Sequence, residues 1–154
     1  MAEDQLQKLP RLRPELTLEK MKELCRGYLP GLIGMELVSV SPAKLLSRLT
    51  VRHDLMAPNG FLHAATIIGV ADTSCGFGTL VHLPEGAESF TTIELKTNFL
   101  GTVRGGAITC EAKLEHFGRT VQVWDAVVAD EATARTIALF RCTQMILWPK
   151  IQAA

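Results

Sequence analysis

Hydrophobic and polar positions along the chain change period several times, and each change marks an element. Leu18, Met21, Cys25 and Tyr28 recur at helical spacing behind Thr17, whose hydroxyl suits an N-cap, and predict a short first helix. Gly27 and the Pro30-Gly31 pair are expected to end it. A strand is predicted over Met35 to Ser41, then a turn at Ser41-Pro42-Ala43. In the next segment Leu45, Ser47, Leu49 and Val51 fall on one side, with Lys44, Arg48, Thr50 and Arg52 on the other. That is the pattern of a strand with one wet face.

From His63 to about Val81 the polar side disappears. Ala64, Ala65, Ile67, Ile68, Val70, Ala71, Cys75, Phe77 and Leu80 cover every side of a helical wheel, which predicts a buried helix. Gly69, Gly76 and Gly78 weaken helix propensity but let neighbouring backbone come close. Four strands follow. Ile93, Leu95, Thr97 and Phe99 oppose Thr92, Glu94, Lys96 and Asn98; Ile108, Cys110, Ala112 and Leu114 oppose Thr109, Glu111, Lys113 and Glu115. A turn at His116-Phe117-Gly118-Arg119 leads to strands over Val121 to Ala129 and about Thr136 to Leu147. Short connections and half-polar faces imply an antiparallel sheet with one side wet. A long apolar helix needs a wrapper, and the predicted fold is α+β: one long central helix wrapped by a curved five- to six-stranded antiparallel sheet.

Length and composition narrow the reading. The 154 residues suit a single domain, expected over 17–150, with a loose polar arm over 1–16 that carries Pro10 and Pro14. Sixteen basic residues balance sixteen acidic ones, which argues against nucleic acid or a membrane surface as partner. The four cysteines, Cys25, Cys75, Cys110 and Cys142, form no CxxC pair. No apolar leader precedes them, and a cytoplasmic protein with reduced thiols is expected.

One residue does not fit the buried helix. Asp72 follows an uncharged run from Leu55 to Ala71 and precedes another from Thr73 to Pro84. A carboxylate in such surroundings is expensive unless it is paired, hydrogen-bonded or shifted in pKa. It is therefore a candidate active-site acid, weighed against a hydrogen-bonded structural role. The second candidate is the helix start. Pro58-Asn59-Gly60 make a turn, and the first helical turn then offers free N–H groups, that of Ala64 included, at the positive end of the helix dipole. Such groups can hold a carbonyl oxygen as it gains charge. His63 stands among apolar neighbours and reads more simply as a packed histidine. It lies nine residues before Asp72, about 13.5 Å along one helix. One reacting group touching both ends requires two copies of the helix, hence a symmetric dimer.

Asn59-Gly60, His63-Ala64-Ala65 and Asp72-Thr73, with the Thr92–Leu100 strand and the His116–Arg119 turn, resemble the hotdog-fold acyl-CoA thioesterases. Within them the likeness is to the phenylacetic-acid-degradation (PaaI-like) branch, over about residues 30–147. The resemblance implies an acyl-CoA thioesterase, a homodimer or dimer of dimers, and no metal or redox cofactor. It implies that Asp72 acts as general base or nucleophile and that the Ala64 N–H of the partner polarises the thioester carbonyl. The resemblance also implies catalytic places for His63 and Asn59 at the helix start and for Thr92, whose hydroxyl position orients the water in some relatives. The turn with Gly118 and Arg119 would meet coenzyme A. Phe61 and Phe77, with Leu80, are read from the sequence as shaping the acyl pocket.

Two departures from the family pattern stand out. Ala64-Ala65 replaces the usual Gly-Gly, and Ala57 occupies a position that is often Asn or Gln, with Asn59 as the nearest amide. A non-catalytic acyl-CoA-binding protein is thus a second reading, and a hotdog hydratase or dehydratase a third. Elsewhere, Asp125 shares a face with Val121, Val123 and Val127 and reads as a paired structural carboxylate. Trp124 is expected in the core and Trp148 at a dimer contact.

Overall fold

A computed structural model describes residues 10–150. The first helix, α1 (Leu18–Cys25), is capped by the Thr17 hydroxyl, which accepts from the Lys20 N–H. The expected break at Pro30-Gly31 is instead inside a second, short helix, α2 (Leu29–Ile33), where Pro30 sits in the first turn and needs no N–H partner. Gly34 ends it in the left-handed region, at φ 78°. Strands β1 (Met35–Ser41) and β2 (Lys44–Thr50) form a hairpin, and one 3-10 turn at His53–Leu55 leads toward the long helix α3 (Ala64–Val81). Then come β3 (Ser89–Phe99), β4 (Ala107–Phe117), β5 (Val121–Asp130) and β6 (Thr136–Leu147).

The six strands form one sheet in the order β1-β2-β4-β5-β6-β3, and every neighbouring pair is antiparallel. Helix α3 touches all six strands. By length and composition it could cross a membrane, but here it is the core element that the sheet encloses. The inner faces of β2, β4, β5 and β6 supply Leu45, Leu49, Ile108, Cys110, Trp124, Val128, Phe140 and Cys142, all buried. Among the glycines of α3 the closest approach is at Gly78, where a Cβ would stand 2.6 Å from the Trp124 ring. All four cysteines are buried and unpaired.

Several expectations need correction. Of the arm expected over 1–16, residues 1–9 lie outside the described residues, and 10–16 are held in place. The Arg13 N–H donates to Val81 O at 2.8 Å, and its guanidinium donates to Leu83 O, Pro84 O and Ala87 O, satisfying carbonyls beyond the end of α3. On β5 the core face is Gln122, Trp124, Ala126 and Val128, with Trp124 in the core as expected. Asp125 lies on the outer face and is paired, as expected, through two hydrogen bonds from the Arg141 guanidinium.

The alternation of β3 is also interrupted. Its register with β6 shifts between Thr92 and Glu94, leaving Ile93 as the extra residue of a bulge. Thr92 is opposite Gln144, whereas Leu95, Thr97 and Phe99 are opposite Cys142, Phe140 and Ala138. Cross-strand partners share a face. The bulge therefore brings Thr92 onto the inner face together with Leu95, Thr97 and Phe99, where a regular strand would have turned it away.

Candidate active site

Two parts of α3 carry the candidate chemistry. At its start the chain is folded tightly: the Gly60 N–H donates to Ala57 O at 2.9 Å, and the Ala57 N–H donates to Phe61 O at 2.7 Å. Asn59 Oδ1 accepts from the Phe61 N–H at 3.1 Å, which spends its carbonyl on the turn and leaves only its NH2 group for other use. Gly60 takes φ 84°, a left-handed conformation that favours glycine.

His63 is exposed rather than packed. It is the N-cap of α3, with Nδ1 accepting from the Ala65 N–H at 2.9 Å and its carbonyl accepting from the Thr66 N–H. The neighbouring Ala64 N–H has no hydrogen-bond partner among the described residues. It stands at the positive end of an 18-residue helix. Phe61 is exposed nearby, with the Arg104 guanidinium 5.4 Å from its ring centroid. Beside this turn opens a cavity of about 650 Å³ bordered by Arg52, His53, Ala57, Pro58, Gly60 and Arg104. Arg52 is already engaged with Ile33 O, Leu32 O and Asp54.

The second part lies more than two turns further along. Asp72, Thr73 and Thr92 are the polar members of a cleft of about 230 Å³ whose other walls are Gly76, Phe77, Leu80 and Phe90. Gly76 opens this space, since a Cβ there would sit 3.4 Å from the Phe90 ring. Burial pushes the Asp72 carboxyl above the ordinary carboxylate range, and the hydrogen bond with Thr92 draws it part of the way back. Thr92 Oγ1 is 3.4 Å from Asp72 Oδ1 and 2.8 Å from Gln144 Oε1.

Among the predicted site residues, the structure thus brings Asp72, Thr92 and Phe77 together. Asn59, Phe61, His63 and Ala64 gather at the other end of the helix segment, about 13.5 Å away by helical rise. Gly118 and Arg119 form a third group in the β4–β5 turn, where the Gly118 N–H donates to Val121 O. The Arg119 guanidinium lies 4.6 Å from the Trp148 ring centroid, and Trp148 Nε1 donates to Arg119 O at 3.0 Å. Trp148, expected at a dimer contact, is half-buried within the chain and packs with the cluster that includes Leu80 and Phe90. Arg119 is thus not among the residues that line the Asp72 cleft.

Gln144 was not anticipated. It is fully buried, and a signal for it existed: it falls in the period-two series Phe140, Cys142, Gln144, Ile146, the one amide on an apolar face. Phe90 and Arg104 were missed as well, because they reach the two cavities from elements outside α3.

A long helix enclosed by a six-stranded antiparallel sheet is the hotdog architecture. The family model of the thioesterase superfamily matches residues 59–143, a little over half of the chain. A 1,4-dihydroxy-2-naphthoyl-CoA hydrolase of Listeria monocytogenes is 31% identical over 111 residues, 72% of this chain and 89% of that protein. The crystal structure of thioesterase HI1161 from Haemophilus influenzae superposes with a TM-score of 0.84 at 24% identity, covering 95% of this chain and 99% of the other. The PaaI protein of Escherichia coli, from the phenylacetic acid degradation operon, shares the fold with a TM-score of 0.74 at 19% identity, over 87% and 93% of the two chains. This chain belongs to the thioesterase superfamily and has its hotdog fold. It is an enzyme of the thioester hydrolase class.

Proposed function

We propose that the protein hydrolyses an acyl-CoA to the free acid and coenzyme A, with Asp72 as the general base or nucleophile. The observation that carries this reading is the Asp72 carboxylate in an apolar cleft, within reach of the Thr92 hydroxyl and with its pKa raised by burial. In the general-base form, Asp72 accepts a proton from water as the oxygen attacks the thioester carbon. Thr92 orients the water, and the Ala64 N–H of the partner holds the carbonyl oxygen as it becomes negative. Collapse breaks the C–S bond, and the thiolate of coenzyme A leaves and takes up the proton. His63 fixes the helix start by binding the Ala65 N–H, which keeps the Ala64 N–H free for the substrate. Asn59 shapes the turn before it. In this reading no metal or redox cofactor takes part.

The reading needs a dimer, because Asp72 and Ala64 of one helix are too far apart for a single carbonyl group. The long edge strand β3 supports it, with Ile93, Leu95 and Phe99 exposed beside an unpaired backbone edge. Two such edges can pair about a two-fold axis, and pairs can join as tetramers. For the acyl group we propose an aromatic or medium aliphatic chain between Phe77 and Phe90, with Phe61 contributed from the partner. Two relatives named 1,4-dihydroxy-2-naphthoyl-CoA hydrolase favour the aromatic choice. Gly118 and Arg119 are assigned to coenzyme A, Arg119 through its charge. The four unpaired cysteines support a cytoplasmic location.

A second reading, acyl-CoA binding without turnover, is favoured by Ala57 and by the use of Asn59 Oδ1 within its own turn. A panel of aromatic and aliphatic acyl-CoAs, assayed by released thiol, separates the two. Turnover supports hydrolysis; saturable binding of several acyl-CoAs with no thiol released overturns it.

A further inference from the structure

Two glutamines lie side by side on the inner face of the sheet, Gln122 on β5 opposite Gln144 on β6, and both are fully buried. A buried amide demands partners for both of its ends. Gln122 finds them within the core: Nε2 donates to His82 O at 3.0 Å, and Oε1 accepts from Trp124 Nε1 at 3.1 Å. It ties the end of α3 to the tryptophan and has no link to the cleft.

Gln144 differs. In the structure its Oε1 lies 2.8 Å from Thr92 Oγ1 and its Nε2 3.3 Å from Cys142 Sγ, and a half-turn of the terminal amide exchanges the two nearly isosteric ends. Thr92 is in turn the only hydroxyl bonded to Asp72 among the described residues. Its single proton cannot serve both neighbours. With Oε1 toward Thr92, that proton goes to the glutamine at 2.8 Å, and Asp72 at 3.4 Å loses its donor. With Nε2 toward Thr92, the amide donates to Oγ1 and the hydroxyl proton is free for the carboxylate. The Cys142 S–H, a weak donor, then faces Oε1. Only this second arrangement gives every group in the chain a partner while Asp72 is ionised.

We infer that Gln144 is a positioning residue that donates from Nε2 to Thr92 and thereby aims the Thr92 hydroxyl at the Asp72 carboxylate. Gln144 touches neither water nor substrate in this scheme. It acts through Thr92. The bulge at Ile93 is what places Thr92 in the row between Asp72 and Gln144. The titratable group that faces Asp72 is Cys75 on its own helix, whose thiol burial pushes well above its usual range, so it stays neutral. The charged residues of β3 beyond the bulge, Glu94 and Lys96, lie on the outer face.

The inference rests on the proposed role of Asp72, so its test has one arm that does not depend on turnover. Gln144→Met keeps the volume and removes the amide. In the ligand-free protein, a carboxyl NMR titration should show the Asp72 midpoint rising by about half a unit to one unit, the net worth of one ordinary hydrogen bond. Thr92→Val should produce a similar rise, and the double variant should rise no further. In turnover, Gln144→Met should lower kcat roughly three- to tenfold, move the acid limb of the pH profile upward and leave KM within about a factor of two. If the unflipped amide, with Oε1 toward Thr92, is the working one, removing it frees the hydroxyl and the Asp72 midpoint falls; that result, or no change, overturns the inference. So does an effect of Gln144→Met that persists in full on the Thr92→Val background. Should Gln144→Met fail to fold, the wild-type protein supplies the answer. The side-chain N–H resonances of Gln144 should then titrate with the Asp72 midpoint, and their failure to do so contradicts the relay. Loss of activity in Asp72→Asn bears on the function alone and leaves the titration arm standing.

Discussion

Two Gly→Ala changes on the same helix should have opposite signs. In α3 each replaces a residue of poor helix propensity by the best one, a gain of up to about 1 kcal/mol in an exposed helix. At Gly69 the new Cβ would stand 3.6 Å from Ile33 Cδ1, an ordinary contact, so this gain is realised. At Gly78 it would lie 2.6, 2.8 and 3.0 Å from three carbons of the Trp124 ring. The ring must retreat by several tenths of an ångström to about 1 Å, and it has nowhere to go. Trp124 is fully buried, its Nε1 is held by Gln122, and Gln122 is held by His82 O at the end of α3. Overpacking of this kind costs roughly 1–3 kcal/mol, and a contact below 3 Å with a rigid ring belongs at the upper end. The net expectation is about 2 kcal/mol lost at Gly78 and up to about 1 kcal/mol gained at Gly69. For a domain this size that separates the two variants by roughly 6–12 °C in Tm. Thermal unfolding at one fixed protein concentration reads it, since an oligomer's Tm depends on concentration. A Gly78→Ala variant as stable as Gly69→Ala would refute the packing argument.

Arg119→Ala should raise KM for acyl-CoA several-fold while leaving hydrolysis of a truncated pantetheine thioester nearly unchanged; equal losses on both would mean that its packing on Trp148 is what matters. His82 accepts from the Ala43 N–H at 2.9 Å, and burial lowers its pKa, so the folded state keeps it neutral. Its contribution to stability is complete above the unfolded value of about 6.5 and is lost as pH falls from there toward the folded value. Unfolding followed between pH 8 and 5.5 should therefore show a shallower acid loss in His82→Gln than in the wild type, and equal slopes would contradict this. Sedimentation at micromolar concentration should find a dimer or larger species; a stable, active monomer would remove the shared site.

Much of this architecture was legible in the chain. The apolar run around Asp72 marked the helix, because a helix enclosed by a sheet has no wet side to make polar. The alternations on β2 and β4 marked their buried faces for the converse reason. Asp72 itself was visible because a carboxylate is costly where nothing solvates it. What the sequence concealed depends on contacts between elements. The bulge at Ile93 adds one residue against β6 and leaves no compositional trace, so a regular alternation put Thr92 on the opposite face from Leu95 and Thr97. The short helix over Leu29–Ile33 was hidden by Pro30, which breaks helices in their interior but not in their first turn. His63 read as packed from its apolar neighbours, yet Phe61, Ala64 and Ala65 are exposed with it at the helix start and only Leu62 is buried. Arg13 looked like part of a free arm because its partners are carbonyls some seventy residues away.

The central claim is that the Asp72 carboxylate performs the chemistry. Asp72→Asn preserves the shape of the side chain and removes the base, and a neutral amide is easier to bury than a charge, so the oligomer should remain folded. Measured by thiol release at saturating acyl-CoA, kcat should fall by roughly a hundredfold or more with KM little changed, the loss expected when general-base catalysis disappears. A folded Asp72→Asn enzyme whose kcat stays within about a factor of three of the wild type would contradict the account.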